Sequence, residues 1–304
     1  MTRNSMRAAI ATVFALSVAC AERTSRDPAD SSKVAEAVDR VAPGYDFATI
    51  DVPGASETVA SDITDRGVVV GWFEQDSVVR GFVHDGGTFT PVSYPGASLT
   101  RVTSMAADGS LAGAYRKPKE PDVAWHGFVR RPSGEFVEVR HPDHPHGMAQ
   151  RILDDGTILG CYHGGDYTAS MRGIVVKGAG INVSDLPASM HNGASPDGGR
   201  MVGLISDGRS YLVEGERVTY LEAPASRTTE AWDVNGAGVV VGAALDSTER
   251  ARGMLFSGGV WTPLEVPGAR TSVAFGVNAR GDVVGGLEDS LGRRRGFVAR
   301  RRDR

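Results

Sequence analysis

Three histidines fall within six residues in Arg140-His141-Pro142-Asp143-His144-Pro145-His146-Gly147, and a fourth, His163, follows in Tyr162-His163-Gly164-Gly165-Asp166. Neutral imidazole nitrogens are good ligands for Zn, Ni or Cu, so His141, His144, His146 and His163 could hold a divalent transition metal. A metal held there would serve a hydrolase or lyase. The spacing matches no established zinc motif, and Pro142 and Pro145 impose extended backbone that equally splays these side chains into solvent.

The remaining reactive groups give less. Cys161 lies in the apolar run Ile158-Leu159-Gly160-Cys161-Tyr162, where a buried, inert thiol is expected. His84 and His126 adjoin recurrent glycine-containing runs and read as framework residues, while His191 has no assignable partner. Acidic loops at Asp246 to Glu249 and at Glu288-Asp289 do not by themselves make a glycosidase pair. There is no G-x-S-x-G elbow, Walker loop, dinucleotide fingerprint or H-E-x-x-H helix, so no catalytic or cofactor-binding residue is assigned. A net charge of -4, with 23% charged residues, does not suggest a nucleic-acid partner.

The elements that must position these residues repeat. Prolines 53, 95, 142, 187, 224 and 267 each close a short apolar stretch and lie 37 to 47 residues apart, close to the roughly 40 to 50 residues of a four-stranded blade. A second marker is an apolar residue followed by glycine: Val70-Gly71, Ala112-Gly113, Leu159-Gly160, Val202-Gly203, Val241-Gly242 and Val284-Gly285. Each follows an Asp or Asn turn with glycine, at Asp65, Asp108, Asp155, Asp197, Asn235 and Asn278, and each pair reads as a hairpin. Turn chemistry explains these Asp and Asn residues better than calcium does, since EF-hand spacing is absent. The third marker is a run such as Gly81-Phe82-Val83, Gly127-Phe128-Val129 or Gly296-Phe297-Val298, with Ser210-Tyr211-Leu212 in the fourth unit.

Four short strands per unit and a variable period fit a ring better than a stacked solenoid, whose coils must keep register. The last unit offers only three strands, and Phe47 to Pro53 is a strand without an earlier unit. The expected fold is all-β: a six-bladed β-propeller of four-stranded blades over 45–299, its last blade closed by the N-terminal strand. Such closure protects a sheet edge. In a four-stranded blade the loops carrying His141 to His146 and His163 fall on one face, which leaves open whether the side chains converge there or stand in solvent.

The pattern F-T-x-I-D-x-P-G-A, then an I/V-N-x-x-G hairpin, V-G and H-G-F, is fullest at Trp261 to Val298, Phe47 to Val83 and Trp125 to Val129. It resembles the HAF family of bacterial extracellular repeat proteins over Phe47 to Val298. The resemblance implies a secreted repeat protein of undetermined function and supplies no catalytic residue. The fourth unit departs most, with Ala188 in place of Gly54 and Ser210-Tyr211 in place of Gly-Phe.

Residues 1–21 read as a signal peptide, with Arg3 and Arg7 before an uncharged run from Ala8 to Val18. Leu16-Ser17-Val18-Ala19-Cys20 resembles a lipoprotein box, making Cys20 a candidate lipidation site, while Ala19-Cys20-Ala21 also matches ordinary cleavage. Residues 22–44 read as a flexible tether permitting a short helix after Ser31-Ser32, and 300–304 as a basic tail. The expected molecule is an exported monomer, an outer-membrane or cell-surface lipoprotein or a secreted or periplasmic protein. It would act as a non-catalytic binding or interaction scaffold for a protein, glycan or small ligand, with the metal-dependent propeller hydrolase or lyase as the alternative.

Overall fold

The computed structural model describes residues 44–164 and 170–302. The expected signal segment, Cys20, the tether helix and Asp166 lie outside the described residues. Among the described residues there are 24 strands, β1 to β24, and no helix long and apolar enough to cross a membrane.

The first unit is β2 (Glu57–Ile63), β3 (Val69–Gln75), β4 (Val78–Asp85) and β5 (Thr88–Val92), each antiparallel to the next. Four further units repeat this order, beginning at β6 (Leu99–Met105), β10 (His146–Ile152), β14 (Ser189–Ala194) and β18 (Thr228–Val234). The last set is β22 (Ala269–Val277), β23 (Val283–Asp289), β24 (Arg294–Arg301) and then β1 (Tyr45–Ile50). β1 pairs antiparallel with β24 from Tyr45 opposite Arg301 to Ile50 opposite Gly296. β24 therefore continues two residues past Ala299, so Arg300 and Arg301 are ladder residues rather than tail.

Each first strand packs against the first strand of the next unit, and β22 packs against β2. The four-stranded sets fit a β-propeller with its first strands around a central axis. Their sides are sealed by third-strand residues: Phe82, Phe128, Tyr211 and Phe297 are all buried.

The repeated second-strand glycine has a steric cause. Every first strand carries a β-bulge, centred on Ser61, Thr103, Gln150, Asn192, Trp232 and Phe275. Just before the bulge its backbone presses on the second strand. A Cβ at Gly71, Gly113, Gly160, Gly203, Gly242 or Gly285 would lie 1.8 to 2.2 Å from a first-strand carbonyl oxygen.

The third-strand glycines face the next unit instead: a Cβ at Gly81 would meet Val102, and one at Gly173 would meet the His191 ring. In the fourth unit Ser210 stands in this place. Its hydroxyl donates to Thr229 O at 2.8 Å and accepts from Ala231 N at 2.7 Å, so the departure becomes an inter-unit clamp. The same unit has His191 where others have Ala60 or Ala274, and Tyr211 where others have Phe82 or Phe297. His191 Nδ1 is 2.5 Å from Tyr211 Oη, which donates to Met190 O at 2.9 Å, and the two substitutions satisfy one another.

Candidate functional site

A bulge sets two successive residues toward the same side of a strand, and here that side is the axis. Ser61, Thr103, Gln150, Asn192, Trp232 and Phe275, one from each unit, line an axial pocket of about 90 Å³ together with Trp72, Arg101, Trp125 and Met148. That is room for several water molecules or one small ring. A larger cleft lies off the axis between the fifth and sixth units, but the axial pocket is where all six first strands converge.

Its walls are aromatic. Trp232 and Phe275 meet edge to face with centroids 5.2 Å apart. The Arg101 guanidinium carbon sits 4.3 Å from the Trp72 ring centre and 5.1 Å from that of Trp125, a cation held between two indoles. Polar groups are few and fixed. Asn192 Nδ2 donates to Ala231 O at 2.9 Å, while its buried Oδ1 has no hydrogen-bond partner among the described residues. An apolar enclosure with a few directed polar atoms binds a ligand in one orientation.

The residues just after the bulges, which do not line the pocket themselves, bring charge together on the axis next to it. Arg151 of the third unit donates from Nη1 to Asp62 Oδ1 of the first at 2.7 Å and lies 3.2 Å from Asp233 Oδ2 of the fifth. The even units carry Ser104, Gly193 and Gly276 at this level. Ser104 Oγ donates to Asp62 Oδ2 at 2.9 Å, and a Cβ on Gly193 or Gly276 would fall 2.6 Å from Asp233 or 2.8 Å from Asp62. Large residues alternating with small ones let three side chains meet on the axis. Burial pushes the Asp233 carboxyl up, against the pull of Arg151.

At the other end of the axis, the hairpins joining first to second strands tie to one another. Asn235 Nδ2 donates to Asn278 O at 3.0 Å, Asn278 Nδ2 to Thr64 O at 3.3 Å, and Ala279 N to Asp65 Oδ1 at 2.8 Å. Asp108, Asp155 and Asp197 accept backbone N–H groups within their own turns. In the fifth hairpin the left-handed residue is Gly238, at φ 77°, rather than Gly236.

The four candidate metal ligands separate into two pairs. His146 and His163 are register partners with ring centres 5.6 Å apart, whereas His141 and His144 lie against Tyr162 at 4.6 and 4.0 Å. Tyr162 and His163 are consecutive on β11 (Ile158–His163), so strand alternation sends the pairs to opposite faces. Among the described residues no group of three or more His, Cys, Asp or Glu side chains could hold a metal ion. Desolvation pushes His163 down to about 4 and also lowers His146.

His126, on β8 (His126–Arg130), is buried with Nε2 3.0 Å from Glu120 Oε2 and Nδ1 3.4 Å from Glu138 Oε1. Sequence reasoning missed this arrangement because Glu120 comes from an irregular loop. Cys161 is buried and its thiol is pushed up to about 12 by desolvation. Asp246 and Asp289 accept N–H groups of their own loops, and Glu288 pairs with Arg270 and Arg294, so the acidic loops are structural.

No family model and no curated protein matches this chain. Solved structures are similar in fold. AofleA from Arthrobotrys oligospora has a TM-score of 0.53 at 12% identity, over 86% of this chain and 89% of that one. The Aleuria aurantia lectin, described as a six-bladed β-propeller with a novel fucose recognition mode, has a TM-score of 0.50 at 14% identity over 83% and 93%. TolB from Acinetobacter baumannii has a TM-score of 0.51 at 10% identity over 76% and 63%. The fold is that of a β-propeller.

Proposed function

We propose that this chain is a closed six-bladed propeller of four-stranded blades that serves as a non-catalytic binding scaffold. Its axial pocket takes a small ligand with one apolar face, a sugar ring being the chemistry that suits it. One observation carries this reading: Trp72, Trp125, Trp232 and Phe275 converge with Arg101, Gln150 and Asn192, whose carbonyl oxygen has no hydrogen-bond partner among the described residues. Indole faces pack on the C–H face of a sugar, and an amide oxygen accepts from a hydroxyl. The fold it shares with a fucose-recognising lectin supports a binding role.

The proposal includes export to the cell envelope, by lipidation at Cys20 or by cleavage, as an extracellular repeat protein of the HAF type. Mass spectrometry of the native N-terminus decides between the two routes. For the pocket, titration calorimetry with neutral monosaccharides and methyl glycosides is the test. Binding that is lost in Trp232→Ala and weakened about tenfold in Asn192→Ala is the expected result. Binding indifferent to both substitutions, or none across the panel, would overturn the axial assignment.

A further inference from the structure

A second cavity has no part in the axial pocket. It is a cleft of about 500 Å³ between the fifth and sixth units, within the roughly 300 to 1,000 Å³ usual for small-molecule sites. Met254, Trp261 and Leu264, all buried, form an apolar floor from the outer strands of the fifth unit and the turn that follows them.

The rim carries three arginines. Arg250 and Arg252 stand on one side and Arg270, at the start of β22, on the other. Arg250 Nε donates to Arg270 O at 2.7 Å, which fixes that side chain across the two units. Its terminal nitrogens have no carboxylate within ion-pair distance among the described residues. Arg252 is paired with Glu265 and Arg270 with Glu288, each through one nitrogen. The other acid at the rim, Asp246, accepts from Thr248 and Arg250 backbone N–H groups and is committed to its own loop. Three guanidinium groups thus stand over an apolar floor beside two paired carboxylates, Glu265 and Glu288, and one tied to its own loop, Asp246, and Arg250 is the arginine of the three with no ion pair among the described residues.

We infer that this cleft is a second binding site, for a ring that carries a carboxylate, such as a hexuronic acid or an aromatic acid. A guanidinium fork matches a carboxylate in plane and charge, and Arg250 is already oriented to offer one. The apolar floor receives the ring and excludes a bare inorganic anion as the preferred occupant. This site does not depend on the axial assignment.

Calorimetry on the exported protein with glucuronate, benzoate and methyl glucoside tests it. One or both acids bind at least about tenfold more tightly than methyl glucoside, and the tighter acid identifies the ring. Raising salt to about 1 M weakens that binding. Arg250→Ala weakens it by about tenfold or more, while Glu265→Gln, which releases Arg252, tightens it severalfold. Asn192→Ala leaves it unchanged, since that residue lines the axial pocket and not the cleft. Equal binding of charged and neutral probes, absence of binding by both acids, or an Arg250→Ala protein that melts and binds like the parent would each refute the site.

Discussion

Arg151 reaches across the axis to Asp62, Nη1 to Oδ1 at 2.7 Å, joining the third unit to the first, and the same nitrogen lies 3.2 Å from Asp233 of the fifth. Removing the guanidinium leaves two buried carboxylates facing each other. Arg151→Met is expected to destabilise the fold by about 3 to 5 kcal/mol in urea titrations. Adding Asp62→Asn and Asp233→Asn should restore most of that loss. If Arg151→Met unfolds like the parent, the axial triad does not hold the ring.

Acid sensitivity has a specific source at His191, which desolvation holds at about 4, below the ~6.5 of a free imidazole. Between those values the unfolded chain binds the additional proton, so this residue's contribution falls as pH drops from about 6.5 to 4, by about 3 kcal/mol in full. Glu57, pushed up to about 7 by burial despite Arg294, acts oppositely and is protonated first in the fold. The parent's stability curve therefore mixes both with His163, also held at about 4, and with Asp233, whose carboxyl burial raises. His191→Ala with Tyr211→Phe, which reproduces the Ala60 and Phe82 combination of the first unit, removes only the histidine component. Between pH 7 and 4 this double variant should lose less stability than the parent; parallel curves would show that His191 is not the acid-sensitive group.

Gly242 is a steric requirement and Gly236 is not. A Cβ at Gly242 would lie 1.8 Å from Glu230 O, whereas nothing lies within 4 Å of one at Gly236. Thermal melts should show Gly242→Ala losing about 3 kcal/mol or more and Gly236→Ala changing by less than about 0.5 kcal/mol.

Deleting residues 45–50 strips β24 of its outer partner and removes the buried side chains of Tyr45 and Ile50. Size-exclusion chromatography should then show association through the exposed edge and a large loss of melting temperature, while removal of residues 1–43 leaves both unchanged. A monomeric, fully stable protein lacking β1 would remove closure from the account.

For the histidines, elemental analysis after purification should find zinc, nickel and copper well below one per chain. Stoichiometric metal that disappears in the His144→Ala/His146→Ala double variant would instead show that the two pairs converge in solution.

The repeat was legible because steric contact dictates residue type. Glycine recurs wherever a bulged first strand presses on the second, and Asn, Asp and glycine recur at the hairpins, so the period could be counted without a structure. Pairing of β1 with β24 was legible from the last unit's missing strand. The axial pocket was not, since its six bulge residues share a position and no chemistry: serine, threonine, glutamine, asparagine, tryptophan and phenylalanine. They do lie ten residues before the second-strand glycine, eleven in the fourth unit, and that offset could have found them. The division of the histidines into two pairs was not legible either, because nearness in sequence says nothing of faces, and it is the alternation of Tyr162 and His163 that separates them.

The partnership of Tyr45 with Arg301 also fixes which way the molecule looks. Tyr45 Oη donates to Gly281 O at 3.2 Å, in the hairpin joining β22 to β23, so β1 begins at the hairpin end of the axis, opposite the aromatic mouth. Any attachment made through the residues preceding Gly44 leaves from that underside. A propeller held at a surface in this way would present both the axial pocket and the arginine-rimmed cleft outward, toward whatever arrives from the surroundings.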